Sequence, residues 1–204
     1  FGTRPDDDRW TAFVAGTRMA FISVQADEAE YYTKIESKQE QTKLAQGLPN
    51  VGDSSKSNKR EAETVARLIH TLCQLYSRSG IPFSPCKQIG IIVPFRAQIA
   101  MIRKALAERH IPDTADITID TVERYQGSQR DIIIFSTTVS RPYQLSILSE
   151  PVMTDGREID RKLNVALTRA RKQFFMTGNE TLLRNCTAYR KFLDFLSKEQ
   201  ILRL

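Results

Sequence analysis

Ile119-Asp120-Thr121-Val122-Glu123-Arg124-Tyr125-Gln126-Gly127-Ser128-Gln129-Arg130-Asp131 runs directly into Ile132-Ile133-Ile134-Phe135-Ser136. A second run follows downstream: Asp160-Arg161-Lys162-Leu163-Asn164-Val165-Ala166-Leu167-Thr168-Arg169-Ala170-Arg171. The first reads as a short strand at 117–119, a polar turn-rich loop and a continuous apolar strand at 132–135. The second has its apolar residues at helical spacing, which predicts a helix over 160–171.

Working outward, further apolar runs at 19–24, 89–93 and 174–176 read as strands buried on both faces. Asn58 with Glu61 three residues on has the arrangement of a capping box, with Asn in place of Ser or Thr. Ala62, Val65, Ala66, Ile69, Leu72, Cys73 and Tyr76 then recur at helical spacing, and Gly80 ends that helix. Pro94 ends the strand 89–93 and opens a helix whose apolar face is Ile99, Ile102, Ala105 and Leu106. A final helix is expected over about 187–200. Strands alternating with helices predict an α/β fold: a parallel sheet with helices on both faces. In such sheets ligands are expected at the carboxyl ends of the strands. Residues 1–18 are weakly patterned, with Asp6-Asp7-Asp8 read as a solvated turn in a leading segment or linker. Residues 25–57 read as a variable insertion, a short exposed helix near 26–45 followed by a turn-rich loop.

The 204 residues are 41% hydrophobic and 26% charged, enough apolar content for a core in one large domain. The net charge of +6 suits a polyanionic partner without requiring one. Cys73, Cys86 and Cys186 are far apart, and His70 and His110 stand alone. No spacing suggests a metal site, and a reducing, intracellular location (cytoplasmic, nuclear or nucleoid) is expected. No apolar run approaches the ~20 residues of a membrane span. Phe1 in place of an initiator Met is expected of a piece cut from a longer chain.

Three places carry candidate chemistry. At Val93-Pro94-Phe95-Arg96, a ring and a cation can be presented to single-stranded nucleic acid. Spacing alone favours the alternative, an ordinary strand-to-helix turn with Phe95 packed inward. Beyond the strand at 117–119, Thr121 offers a hydroxyl to a phosphate or sugar. Gln126-Gly127 lets backbone approach a ligand, and Gln129 can donate and accept. A purely structural loop has the same composition. On the helix 160–171, Leu163, Ala166, Leu167 and Ala170 share one arc, expected to face the sheet. Arg161, Asn164, Thr168 and Arg171 share the next arc, and Arg169 lies roughly 160° from Arg171. The two arginines therefore do not serve one ligand; surface ion pairs for both are equally compatible with the spacing.

The wording of these stretches resembles superfamily 1 helicases: Val122 to Phe135 their motif V, Leu163 to Arg171 their motif VI, and Ile91 to Gln98 their motif IV. The detailed wording, especially Leu163 to Arg171 and the strand ending in Gly178-Asn179, resembles the group containing the nonsense-mediated-decay RNA helicase and the replication-linked nuclease-helicase. The resemblance runs from about Met19 to Asn185, with 25–56 poorly matched. It implies a second, C-terminal RecA-like motor domain over 19–204, with ATP and Mg2+ held between it and an N-terminal RecA-like domain of the same parent. It implies Arg169 as the arginine that neutralises charge on the transferred phosphoryl group. It likewise implies the turn Gln126-Gly127 and Gln129 as nucleotide-facing, and Phe95, Arg96 and Thr121 near a DNA or RNA backbone. Movement from 5′ to 3′ is a further implication. The family usually has Glu where this chain has Gln129. No Gly-x-x-x-x-Gly-Lys-Ser/Thr occurs in the 204 residues, and no Asp-Glu-Ala-type strand end supplies magnesium ligands. Mg2+ is therefore expected mainly on the missing first domain, and this chain alone is not expected to hydrolyse ATP. Two rivals remain: an ATPase-inactive binding module on the same fold, and an unrelated small-molecule α/β enzyme.

Overall fold

The apolar runs expected as strands at 19–24, 89–93, 117–119, 132–135 and 174–176 all contribute to one sheet in the computed structural model, which describes residues 5–24, 56–125 and 128–204. Helix α1 (Pro5–Gly16) leads into β1 (Met19–Ser23). Helices α2 (Lys59–Arg78) and α3 (Pro85–Gln88) precede β2 (Ile89–Val93). Helix α4 (Arg96–Glu108) leads to β3 (Thr118–Thr121) and β4 (Arg130–Ser136). The short α5 (Leu145–Leu148) and a hairpin of β5 (Pro151–Thr154) and β6 (Arg157–Asp160) come next. Helix α6 (Arg161–Thr168) runs almost directly into β7 (Ala170–Gly178). The chain closes with α7 (Glu180–Leu183), α8 (Thr187–Phe195) and β8 (Ile201–Arg203).

The six-stranded sheet has the order β3-β2-β4-β7-β1-β8, and every pairing in it is parallel. Alternate side chains point to opposite faces, so the sheet feeds two cores. Ile22, Ile91, Ile132, Ile134 and Phe175 pack with α1, α2 and α4 on one face. Phe21, Ile92, Ile133, Phe135, Phe174 and Met176 pack with α6, α7 and α8 on the other. This is the α/β architecture with helices on both faces that the alternation predicts.

Several local expectations change. The turn expected at Asp6-Asp7-Asp8 lies in the first half of α1. Trp10 (3% exposed), Phe13 and Val14 enter the first core, so this segment packs against the sheet layer. The indole Nε1 of Trp10 donates to Thr71 Oγ1 at 2.7 Å, and the Arg67 guanidinium lies 4.4 Å over its ring. The helix expected to 171 ends at Thr168, because the chain must extend there to pair with β4. The helix expected to about 200 ends at Phe195. The chain then pairs Ile201–Arg203 with β1 as an edge strand too short to show a period. The hairpin at 151–160 was not anticipated. The insertion expected over 25–57 lies outside the described residues from 25 to 55. No helix among the described residues is long and apolar enough to cross a membrane.

Candidate functional site

The sheet register sorts the candidate residues into two groups at opposite ends. At the carboxyl ends, Val93 of β2 pairs with Thr121 of β3. Phe95 and Arg96 follow β2 directly, so Arg96 and Thr121 belong to neighbouring strand ends. Phe95 is the N-cap residue of α4 and only 6% exposed. At that burial its ring offers no open stacking face, which corrects the expectation that Phe95 presents one to nucleic acid. Arg96 is exposed and Thr121 half-buried. The Thr121 backbone N–H donates to Asp120 Oδ1 at 2.8 Å, while its carbonyl accepts from Arg124 and Tyr125, fixing a tight turn beyond the strand.

At the amino ends, Gln129 directly precedes β4 and Arg169 directly precedes β7. Arg130 pairs with Ala170, and the Arg130 N–H donates to the Arg169 carbonyl at 3.0 Å. Gln129 and Arg169 are thus neighbours, although the general rule for parallel sheets put ligands at the carboxyl ends. The reason is the loop 122–129, which starts at the carboxyl end of β3 and returns to the amino end of β4. Its described first part packs into the second core, where Val122 and Tyr125 are buried. Gln126 and Gly127, the expected close-approach turn, lie outside the described residues.

Arg169 is the C-cap residue of α6, and its Nε is buried without a hydrogen-bond partner among the described residues. The Nε of the neighbouring Arg130 is buried without a partner among the described residues in the same way. Gln129 is exposed. Its carbonyl accepts from Arg130 Nη1 at 2.9 Å, and Arg130 Nη2 donates to Thr118 Oγ1 at 3.2 Å. Arg130 therefore holds the backbone that presents Gln129. Arg171 stands on β7 and not on a helix, so the helical-wheel angle between it and Arg169 does not apply. Its exposed guanidinium reaches Gln129 Oε1 at 3.4 Å through Nε. Next to it, Lys172 Nζ lies 2.8 Å from Asp131 Oδ2, a bond that holds the Asp131 carboxyl below its usual range.

Asp160 sets the direction of α6. Its Oδ1 accepts from the Leu163 N–H at 2.7 Å, an N-cap bond, while Oδ2 accepts from the Glu150 N–H at 2.8 Å. Leu163 and Ala166 are buried as the apolar arc predicts, whereas Leu167 and Ala170 are only half-buried. Lys162 Nζ reaches Glu123 Oε1 at 3.1 Å and ties α6 to the loop after β3.

One polar cluster was missed. Half of the capping box expected at Asn58 and Glu61 is present: Asn58 Oδ1 accepts the Glu61 N–H at 3.0 Å. The Glu61 carboxylate does not return the bond. The Asn58 N–H is taken by Gln98 Oε1 at 2.7 Å. Glu61 instead points into the molecule, 0% exposed, and its Oε2 accepts from Ser136 Oγ, Thr177 Oγ1 and the Thr138 N–H at 2.8, 3.0 and 3.1 Å. Burial is the main cause that pushes this carboxyl up to about 7, against those three hydrogen bonds. The signal was present in the sequence: Glu61 falls on the apolar stripe with Val65, Leu68, Ile69 and Leu72.

The AAA domain family matches residues 10–181 of the chain. MOV-10 of Gallus gallus, which carries a helicase name, is 32% identical over 155 residues, covering 70% of the chain and 15% of that relative. The DNA polymerase alpha-associated DNA helicase A of Saccharomyces cerevisiae is 34% identical over 103 residues, 50% of the chain and 14% of the relative. The DNA replication ATP-dependent helicase/nuclease DNA2 of Bos taurus is 31% identical over 139 residues, 67% of the chain and 12% of the relative. The chain therefore spans only 12–15% of the length of these relatives.

Proposed function

The chain belongs to the AAA domain family in its superfamily 1 helicase form, and we propose on that basis that it is the C-terminal motor domain of an ATP-dependent DNA or RNA helicase or translocase. The proposed motor domain is residues 19–204, with α1 packed onto it. Its partners are single-stranded nucleic acid and an N-terminal motor domain of the same parent. The observation that carries the reading is the juxtaposition of Gln129 and Arg169 at the amino ends of β4 and β7, with a buried Arg169 nitrogen lacking a partner.

ATP, with Mg2+ held mainly by the other domain, supplies the phosphoryl group whose transfer drives the motor. On this side of the cleft, Arg169 neutralises charge that develops on that group, an effect worth roughly 10³-fold or more in turnover. Gln129 hydrogen-bonds a ribose hydroxyl or phosphate oxygen beside it, joined by the turn at Gln126 and Gly127. Its neutral amide keeps the geometry of the family's usual Glu and gives up the charge. At the opposite end, Arg96 and Thr121 contact the nucleic-acid backbone.

The test is ATP turnover by the full-length parent, with and without single-stranded DNA and RNA. Arg169→Ala is expected to lower stimulated turnover by roughly 10³-fold with an unchanged thermal midpoint. Arg171→Ala, an exposed position, is expected to change stability by less than about 0.5 kcal/mol. A full loss on Arg171→Ala with Arg169→Ala active would reverse the assignment. No turnover in the wild type under any condition would favour a second reading, an ATPase-inactive nucleic-acid or protein binding module, which the neutral Gln129 accommodates.

A further inference from the structure

A fully buried carboxylate without a cation beside it is expensive, and a nonpolar side chain would fill the same stripe of α2 at lower cost. At Glu61 the groups that face it are Asn58 on the same helix, Ser136 and Thr138 at the end of β4, and Thr177 at the end of β7. None of them is charged. Thr138 adopts φ +60°, an unfavourable backbone for a β-branched residue, and its N–H is aimed at Glu61 Oε2. All three close donors fall on Oε2. Among the described residues the other oxygen, Oε1, is met only by the Asn58 side-chain amide, at 3.4 Å.

Asn58 is in turn locked to Gln98 from both sides. Its N–H donates to Gln98 Oε1 at 2.7 Å, and its carbonyl accepts from Gln98 Nε2 at 3.1 Å. Gln98, 0% exposed, also reaches Ser136 Oγ at 3.3 Å. Gln98 lies in the first turn of α4, two residues beyond the exposed Arg96. A continuous buried path therefore leads from Glu61 through Asn58 and Gln98 to the turn that carries Arg96.

We propose that Glu61 is a positioning residue for nucleic-acid binding: through Asn58 and Gln98 it fixes the first turn of α4, and so the direction in which Arg96 meets the phosphate backbone. This rests on the reading of the carboxyl ends of β2 and β3 as the nucleic-acid side. Loss of the carboxylate leaves the Asn58 amide and the Ser136, Thr138 and Thr177 donors without their shared acceptor, and the α4 turn loses its anchor. A proton on Oε1 opposes the Asn58 amide, so the same turn responds to titration of Glu61.

The test is a double-mutant cycle in the full-length parent. Affinity for a fluorescein-labelled 15-nucleotide oligo(U) or oligo(dT) is measured without nucleotide for the wild type, Arg96→Ala, Glu61→Gln and the double variant, from pH 6 to 8.5. Thermal midpoints are recorded alongside. Glu61→Gln is expected to weaken binding by roughly 10-fold, the size of one charge-assisted contact. The double variant should bind no worse than Arg96→Ala, because one effect runs through the other. The wild-type affinity should vary with pH near neutrality more than that of the Gln variant. Should Glu61→Gln not fold, Asn58→Ser takes its place: Ser still caps α2 and severs the link to Glu61. Additive losses, or wild-type affinity in the Glu61 or Asn58 variant, would overturn the positioning role. A wild type that binds neither oligonucleotide would overturn the nucleic-acid reading itself, and this inference with it.

Discussion

At Gly90 the absence of a side chain is a packing requirement. A Cβ there would stand 1.8 Å from the Tyr125 hydroxyl and 2.7 Å from its ring carbon Cζ. Tyr125 is 1% exposed, and its hydroxyl has no hydrogen-bond partner among the described residues. Burial raises its pKa, the Arg130 charge opposing. Gly90→Ala is therefore expected to cost roughly 1–3 kcal/mol by overpacking and to disturb the loop that carries Gln129. Urea unfolding measures the cost, and a variant as stable as the wild type would show that Tyr125 can move freely. Combining it with Tyr125→Phe should restore part of the loss, since the closest contact is the hydroxyl. Neither contact is readable from the sequence, where Gly90 and Tyr125 sit in different elements.

Helix α1 shows how an element can matter without a clear pattern. Its apolar residues do not form a long stripe, yet Trp10 joins it to α2 through a buried hydrogen bond, a cation over its ring and burial of the indole. Trp10→Ala is expected to cost about 3–5 kcal/mol, seen as a lower urea midpoint. A loss under about 0.5 kcal/mol would mean that α1 contributes little to the first core. Helix α6 is the converse case. Its apolar residues Leu163 and Ala166 were legible, but its end was not. The strand pairing of Arg130 with Ala170 overrides the helical spacing that continues to Arg171.

Across the whole molecule, stability should respond to pH in two directions. Asp131 and Glu180 are held below their usual range by Lys172 and by Arg203 with Arg184, and these contributions fade as the pH falls through the carboxylate range. Glu61 has the opposite sign. Its folded value of about 7 lies above the ordinary carboxyl value of about 4.5, so its contribution is complete below about 4.5 and is lost as the pH rises toward 7. The thermal midpoint of the wild type should therefore fall between pH 5 and 7.5 relative to that of Glu61→Gln, whose side chain does not titrate. Parallel profiles for the two proteins would show that Glu61 is already ionised throughout.

What the sequence by itself determined is most of the sheet strands, the longer helices and the family. Continuous apolar runs marked most sheet strands, Asn58 and Gly80 marked the bounds of α2, and the runs at 119–136 and 160–171 carried the helicase motifs. These are local signals, written within one element or one loop. What only the tertiary structure decided is which distant segments meet. Parallel pairing joins Val93 to Thr121 and Arg130 to Ala170, and those two registers place Arg96 and Thr121 at one end of the sheet and Gln129 and Arg169 at the other. The same nonlocal pairing sends the Glu61 carboxylate to Ser136, Thr138 and Thr177 instead of to its own helix cap. A side chain near a helix end has a local partner and a distant one within reach. The competition is settled here by burial, since the Asn58 N–H is already bonded to Gln98 and the three donors at the strand ends are shielded from bulk solvent.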